Sequence, residues 1–371
     1  MSERIVSYAE TIVNVHETVQ RLQRRYLVQK IWSAREICIG DQVSAKAFGF
    51  LKEAVHNFLG GLDLTSLRRL AKIVSEKDSD ACLSVNHLNP AEFCIQKQRY
   101  LISRVWRWPD LKDGSELKHI EDSSGEEGEA GMGDCLCVNP FHFSRISKRE
   151  IPYQGLRGGS KSNKTTQDDS GLSCGSVDTE SSQKTKACQV STCTKREQAR
   201  KRPWLTLAYW EREQRVGNMY HGYENTINIY ESKSKGHRHG LCLKDLNRTC
   251  EMNDNTKIAF RNIGEGIQVS LEDGDIWVYN KSQSPVFLNG ELLQRLHHTD
   301  TPRVDKLPSG YGRKVFDCNA NVSTRQSLDK RREEQHCLRV SFVKGFGRGY
   351  KRQTIMNCPC WIEMFFTLPA S

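Results

Sequence analysis

The sequence has no run of apolar residues near the roughly 20 that cross a bilayer. Its opening, MSERIVSYAETIVNV, carries early charges and no apolar core, so it does not read as a secretory leader. These absences predict a protein of the cytoplasm and nucleus with no membrane insertion. No H-E-x-x-H motif and no Gly-Lys-Ser/Thr phosphate loop occurs, and no catalytic set stands out, so an enzyme is not expected. No internal repeat of long period is present. Large hydrophobes are almost missing from residues 155–200, which are rich in Ser, Thr, Gly, Lys and Gln. Such a stretch cannot bury enough surface to offset its ordering entropy, so it reads as a flexible linker. Its basic end, KREQARKRP, suits either a nuclear-import patch or a solvated linker end. Residues 122–134, DSSGEEGEAGMGD, lack apolar periodicity and read as a solvated loop.

What remains divides into two patterned regions, as a chain of 371 residues allows. In FGFLKEAVHNFL, the residues Phe50, Leu51, Ala54, Val55, Phe58 and Leu59 share one helical face, which Gly60-Gly61 ends. LTSLRRLAKIV repeats the pattern with Leu64, Leu67, Leu70, Ala71 and Val74, with Thr65 or Ser66 as the cap. From Trp204 the period falls to two. IQVSLEDGDIWVY is a hairpin signal: Ile267, Val269 and Leu271 face one way, Asp273-Gly274 turns, and Ile276 and Val278 return. LRVSFV and CWIEMFF alternate as well. Polar residues 319–336 suit an exposed helix. The fold class expected is two-domain α+β. It comprises a small helical and β zinc-type domain at 1–150, a flexible linker at 151–201, and a β-sandwich flanked by helices and loops at 202–371.

The 55 basic against 45 acidic residues leave a net charge of +10, which suits an anionic partner such as nucleic acid or a phosphoprotein. In a reducing compartment the 14 cysteines are buried thiols or metal ligands. In CLCVNPFHF, Cys137 and His142 have a spacing that one zinc ion accepts, with the Asn139-Pro140 turn bringing thiolate and imidazole together. Cys82 is the best further ligand, and Cys135, Cys94 and His87 compete for the fourth place. The alternative is a buried cysteine and a satisfied histidine. A second segment, SFVKGFGRGYKRQ, runs a strand into a loop where Gly345, Gly347 and Gly349 let the backbone turn and approach a partner. Lys344, Arg348, Lys351 and Arg352 surround it and suit a phosphate group; the alternative is a solvated basic loop. A third, Cys358-Pro-Cys360, would place both thiols on one face of a strand, and it lacks neighbouring ligands. It reads as a core-edge strand with buried thiols.

Together these residues resemble the SMAD family. WRWPDL at 106–111 and CVNPFHFSRI at 137–146 look like its Mad-homology 1 domain. AYWEREQRVG, IGEGI, VKGFGRGYKRQ and CPCWIE look like its Mad-homology 2 domain. Within the family, AYWE, DGDIWVYNKSQSPVFLN, LPSGYGRKVFDC and CPCWIE resemble the inhibitory branch. The sequence finishes at Pro369, Ala370 and Ser371, without the Ser-x-Ser tail that receptor kinases phosphorylate in other branches. A chain without that tail is expected to accept a phosphopeptide at its basic loop and not to offer one.

The resemblance implies an inhibitory adaptor of TGF-β/BMP-type signalling. Its implied partners are phosphorylated type I receptor serine/threonine kinases and effector or common-mediator SMADs, met at Lys344, Gly345, Gly347, Arg348, Lys351 and Arg352. It also implies structural zinc. Cys82, Cys137 and His142 match three of the family's ligands. The fourth falls near Asp122–Ser124, where no cysteine stands, and Cys135 is the substitute. The family's DNA hairpin lies between Cys82 and Trp106; the stretch here is shorter, and only Lys97 and Arg99 are offered to phosphate. The alternative function is therefore a DNA-binding SMAD transcription regulator. Ubiquitin ligases, recruited in the family through Pro-Pro-x-Tyr, would find only IPYQ, with Pro152 and Tyr153.

Overall fold

A computed structural model describes residues 2–37, 44–79, 81–84, 95–120, 137–147, 202–233, 240–290, 293, 304–317 and 336–367. The linker expected at 151–201 and the acidic loop at 122–134 lie outside them. So does the helix expected at 319–336, except for His336, which opens a strand.

Four helices build the N-terminal region: α1 (Ser2–Ser33), α2 (Ala45–Gly61), α3 (Leu64–Glu76) and α4 (Ile95–Trp106). None of the described helices is long and apolar enough to cross a membrane. The apolar stripes read from the sequence meet in one core, which holds Val55, Phe58, Leu59, Leu67, Leu70, Ile102 and Trp106. Phe50 departs from its expected place and stays 64% exposed, while Leu51 and Ala54 pack at the edge of the core. The helix ends at Gly61, where the glycine pair was expected to end it. The cap of α3 is Asp63, one residue before the helix, where the backbone is extended and the carboxylate accepts from the Ser66 N–H at 2.6 Å. Thr65 and Ser66 already lie in the first turn, so their own N–H groups are among those that need a cap.

Thirteen strands follow among the described residues. They are β1 (Leu117–His119), β2 (Phe143–Ile146), β3 (Leu205–Glu211), β4 (Gln214–Gly222), β5 (Thr226–Tyr230), β6 (Gly240–Cys242) and β7 (Ile267–Glu272). Then come β8 (Asp275–Asn280), β9 (Val286–Gly290), β10 (Asp305–Leu307), β11 (Tyr311–Phe316), β12 (His336–Phe342) and β13 (Trp361–Phe366). One sheet has the order β1-β2-β11-β8-β7-β5-β6 and the other β10-β9-β12-β13-β3-β4. Their inner faces share one core, with Leu207, Val340, Ile362 and Met364 from one sheet and Ile227, Val269, Ile276 and Val278 from the other. Helix α5 (Asp254–Arg261) adds Ala259 and Phe260. The expected hairpin is β7–β8: Val269 faces Val278, Leu271 faces Ile276, and Asp273 and Gly274 turn at φ 51° and 85°. Positive φ at both turn residues matches the right-handed twist of the strands.

The two patterned regions share the first sheet. Strand β2 of the N-terminal region pairs in parallel with β11, Arg145 opposite Tyr311 and Gly312 opposite Ile146. Arg145 is the bolt of this seam. Its guanidinium lies 2.8 Å from Asp110, 2.9 Å from Glu116 and 3.1 Å from the Tyr311 hydroxyl. A buried guanidinium is tolerated when its donors are met by acids in this way.

Candidate functional site

The first site forms where α3, the 81–84 segment and the turn before β2 meet. Asn139 caps the one-turn 3-10 helix Pro140–His142 by accepting the Phe141 N–H at 2.8 Å. Its amide donates to the Asp78 and Ala81 carbonyls at 3.0 and 2.7 Å, which ties the turn to the segment carrying Cys82. The outcome is convergence. Cys137 Sγ lies 3.4 Å and Cys82 Sγ 3.9 Å from His142 Nδ1, and all three ligand atoms fall within 4.8 Å of one another. A tetrahedral zinc ion separates its sulfur and nitrogen ligands by about 3.5–3.8 Å, so the three residues fit it. His142 Nε2 lies 2.9 Å from the Ser79 carbonyl, which keeps its proton on that side and turns Nδ1 toward the thiols. Burial alone would push the Cys137 thiol up. The His142 ring and the N–H groups of Asn139 and Leu83 outweigh it and hold the thiol at about 7. Cys135, Cys94, His87 and Asp122–Ser124 lie outside the described residues.

Two arginines that the spacing did not flag hold this segment in place. Arg99 donates to the Cys137 carbonyl at 3.1 Å and lies over the Phe143 ring. Arg107 donates to the Pro140 and Phe143 carbonyls and is wedged against Trp108 and Phe141. Its burial lowers its pKa to about 10. Arg99, expected to be offered to phosphate, is thus engaged inside the fold, while Lys97 is exposed on α4. The sequence carries no signal for either role, because both arginines bind main-chain carbonyls that any residue would supply.

The second site is the loop after β12. Val343, a β-branched residue at φ 65°, turns the chain out of the strand, and Gly347 and Gly349 continue at φ 82° and 90°. For a β-branched side chain that conformation is an outlier held by its surroundings. Ser341 Oγ donates to the Lys344 carbonyl at 2.7 Å, and the Gly347 N–H donates to the Arg352 carbonyl at 2.8 Å, closing the loop on itself. A Cβ at Gly345 would stand 2.3 Å from the Tyr350 ring, so a side chain there would push that ring aside. Below the loop, Phe346, Phe287, Ile355, Cys358 and Trp361 form a separate apolar cluster. The loop is thus closed by its own hydrogen bonds over an apolar base. Arg348 and Lys351 are exposed on it and Lys344 and Arg352 half-buried. None of the four pairs with an acid among the described residues.

Cys358 and Cys360 are both fully buried, as a core-edge reading requires, but they do not share a strand face. Cys358 ends the short helix Ile355–Asn357 and belongs to the cluster under the loop, while Cys360 belongs to the sandwich core, before β13 begins. Burial pushes the Cys358 thiol up and the Cys360 thiol up to about 12. No metal-ligand group includes them among the described residues.

Comparison with known proteins identifies both regions. Residues 51–147 match the MH1 domain family and residues 202–367 the MH2 domain family. The chicken protein "Mothers against decapentaplegic homolog 6" is 32% identical over 275 residues, covering 72% of this chain and 62% of its own length. The human homolog 7 is 31% identical over 274 residues with the same coverage. "Dwarfin sma-3" of Caenorhabditis elegans is 26% identical over 317 residues, 80% of this chain and 78% of its own. The chain thus spans about 62% of the length of the first two relatives. Among solved structures, the interferon regulatory factor 9 IAD domain overlays 44% of this chain and 83% of its own at 11% identity, with a TM-score of only 0.33. With an MH1 domain, an MH2 domain and these relatives, the chain belongs to the SMAD family.

Proposed function

We propose that this chain is an inhibitory SMAD-like adaptor of TGF-β/BMP-type signalling, acting by binding. SMAD family proteins are non-enzymatic signalling adaptors and transcription regulators. The partners proposed are phosphorylated type I receptor kinases and effector or common-mediator SMADs. The observation that carries the reading is the loop 343–353. It presents Lys344, Arg348, Lys351 and Arg352, none of them paired with an acid among the described residues, on a backbone closed by its own hydrogen bonds and seated through Phe346. A loop whose backbone is already closed has less left to order on meeting a phosphate, and arginine grips its oxygens in pairs. Likeness to homologs 6 and 7 supports the inhibitory sense. Such an adaptor restrains signalling by occupying the activated receptor or a partner SMAD. We expect it in both cytoplasm and nucleus.

Zinc belongs to the same proposal. Cys82, Cys137 and His142 would hold it, with Cys135 as fourth ligand, and a closed four-ligand site contributes folding energy rather than chemistry. The alternative, sequence-reading DNA binding, is less favoured because Arg99 is spent on the Cys137 carbonyl.

The test is co-precipitation of the full chain with constitutively active and kinase-dead type I receptor cytoplasmic domains. Capture by the active form alone supports the adaptor; equal capture by both refutes the phosphate-dependent reading.

A further inference from the structure

Helix α1 begins well before residue 51, where the MH1 match starts. One side of its last turns serves its own domain. Ile31 is fully buried, Leu27 and Val28 pack at the core, and Arg24 donates to the Leu59 and Leu62 carbonyls at 3.1 and 2.8 Å. A different side carries Val15, Val19, Leu22 and Tyr26, exposed by 58, 45, 59 and 66%. Their spacing is 4, 3, 4. In the sequence the same alternation runs back through Ile12, Tyr8 and Ile5. A 3-4 repeat sustained over three heptads is the pattern of a supercoil seam, since a lone surface helix needs only one apolar stripe and this one already has it. In heptad terms Val19 and Tyr26 occupy a, and Val15 and Leu22 occupy d.

We propose that α1 pairs with α1 of a second copy of this chain, antiparallel, as a two-helix coiled coil centred on Val15 and Val19. Charge singles out this occupant. The positions bordering the seam at its centre, His16, Thr18 and Gln23, carry no fixed charge, so two copies meet there without repulsion. A helix lying on a membrane instead lines its apolar border with Lys and Arg along its length, whereas here the cations Arg25 and Lys30 border the seam only near its end, and Glu17, with Glu10 and Glu3 in the sequence, lies on the far side. Orientation follows from the end of the helix. Parallel pairing would set Arg25 against the partner's Lys30 at two places. Antiparallel pairing separates these cations, opposes the helix dipoles favourably and sets Val15 against the partner's Val19.

Sedimentation equilibrium of the full chain tests this. The wild type is expected at twice its 42.5 kDa mass and the Val19→Asp/Leu22→Asp variant at one chain mass, with an unchanged tryptophan-fluorescence melt. Val19→Ala/Leu22→Ala, which keeps helix propensity, is expected to weaken the dimer in the same direction. A monomeric wild type, or an assembly that both variants leave intact, overturns the proposal. Arg25→Glu tests orientation: it would tighten a parallel pair by giving Lys30 a partner, so a tighter dimer overturns the antiparallel arrangement and an unchanged one supports it.

Discussion

Two cysteine sites in this chain look alike on paper and behave oppositely in the fold. Cys137 precedes an Asn-Pro turn, and Cys358 and Cys360 flank a proline. Around Cys137 the neighbours are an imidazole and two N–H groups, and its thiol is held at about 7 despite burial. Around Cys360 the neighbours are the Thr256 carbonyl, the Tyr209 hydroxyl and the sandwich core; burial outweighs the hydroxyl and pushes the thiol up to about 12. An imidazole and several donors that outweigh burial make a thiol a ligand; burial that outweighs a single hydroxyl keeps it a small hydrophobe. Spacing nominates both sites, and the groups aimed at the sulfur separate them.

The comparison can be broken most forcefully at His142. If the proposed zinc is held there, His142→Ala should lower the stability of the N-terminal domain by several kcal/mol, and chelation should do the same to the wild type, because that metal would contribute folding energy. Metal content by mass spectrometry alongside thermal melts checks this, and a variant that melts with the wild type would remove the site's structural role. Next comes Cys360→Ser, which exchanges a thiol for a hydroxyl in an apolar core. It should cost about 1–3 kcal/mol, with no change in metal content. Denaturant unfolding followed by Trp fluorescence measures it. Smaller still is the effect of Cys358→Ala under the basic loop, about 1 kcal/mol, again without metal loss. The smallest stability effect is expected for Val343→Gly. It relieves a left-handed β-branched residue but loosens the loop's entrance, so the melt should shift little while phosphoprotein binding weakens.

The legible part of the fold was the part that one strand or helix can write by itself. The Asp273-Gly274 hairpin, the stripe ending at Leu59 and the alternation of β13 each depend on neighbours a few residues away. What escaped depended on distant partners. Nothing near Arg145 announces that it joins β2 to β11 across 166 residues. Asp63 escaped as a cap because Thr65 and Ser66 offered equally good chemistry two residues later, and only the extended backbone at Asp63 decides. The seam of α1 was present in the sequence; its 3-4 spacing needed counting across the early charges that marked the segment only as no secretory leader. At the candidate sites, Cys82, Cys137 and His142 were legible as ligand types at fitting spacing. Arg99 and Arg107 were not, since their partners are backbone carbonyls.

The loop 343–353 is proposed to receive a phosphorylated partner. The most direct measurement is the affinity of the full chain for a phosphorylated type I receptor cytoplasmic domain, compared with a variant in which Lys344, Arg348, Lys351 and Arg352 are all changed to Glu. Each charge-assisted hydrogen bond to phosphate is worth roughly 1.5–3 kcal/mol. The account therefore predicts at least about a hundredfold weaker binding with an unchanged melting curve. Undiminished binding by the variant would contradict it.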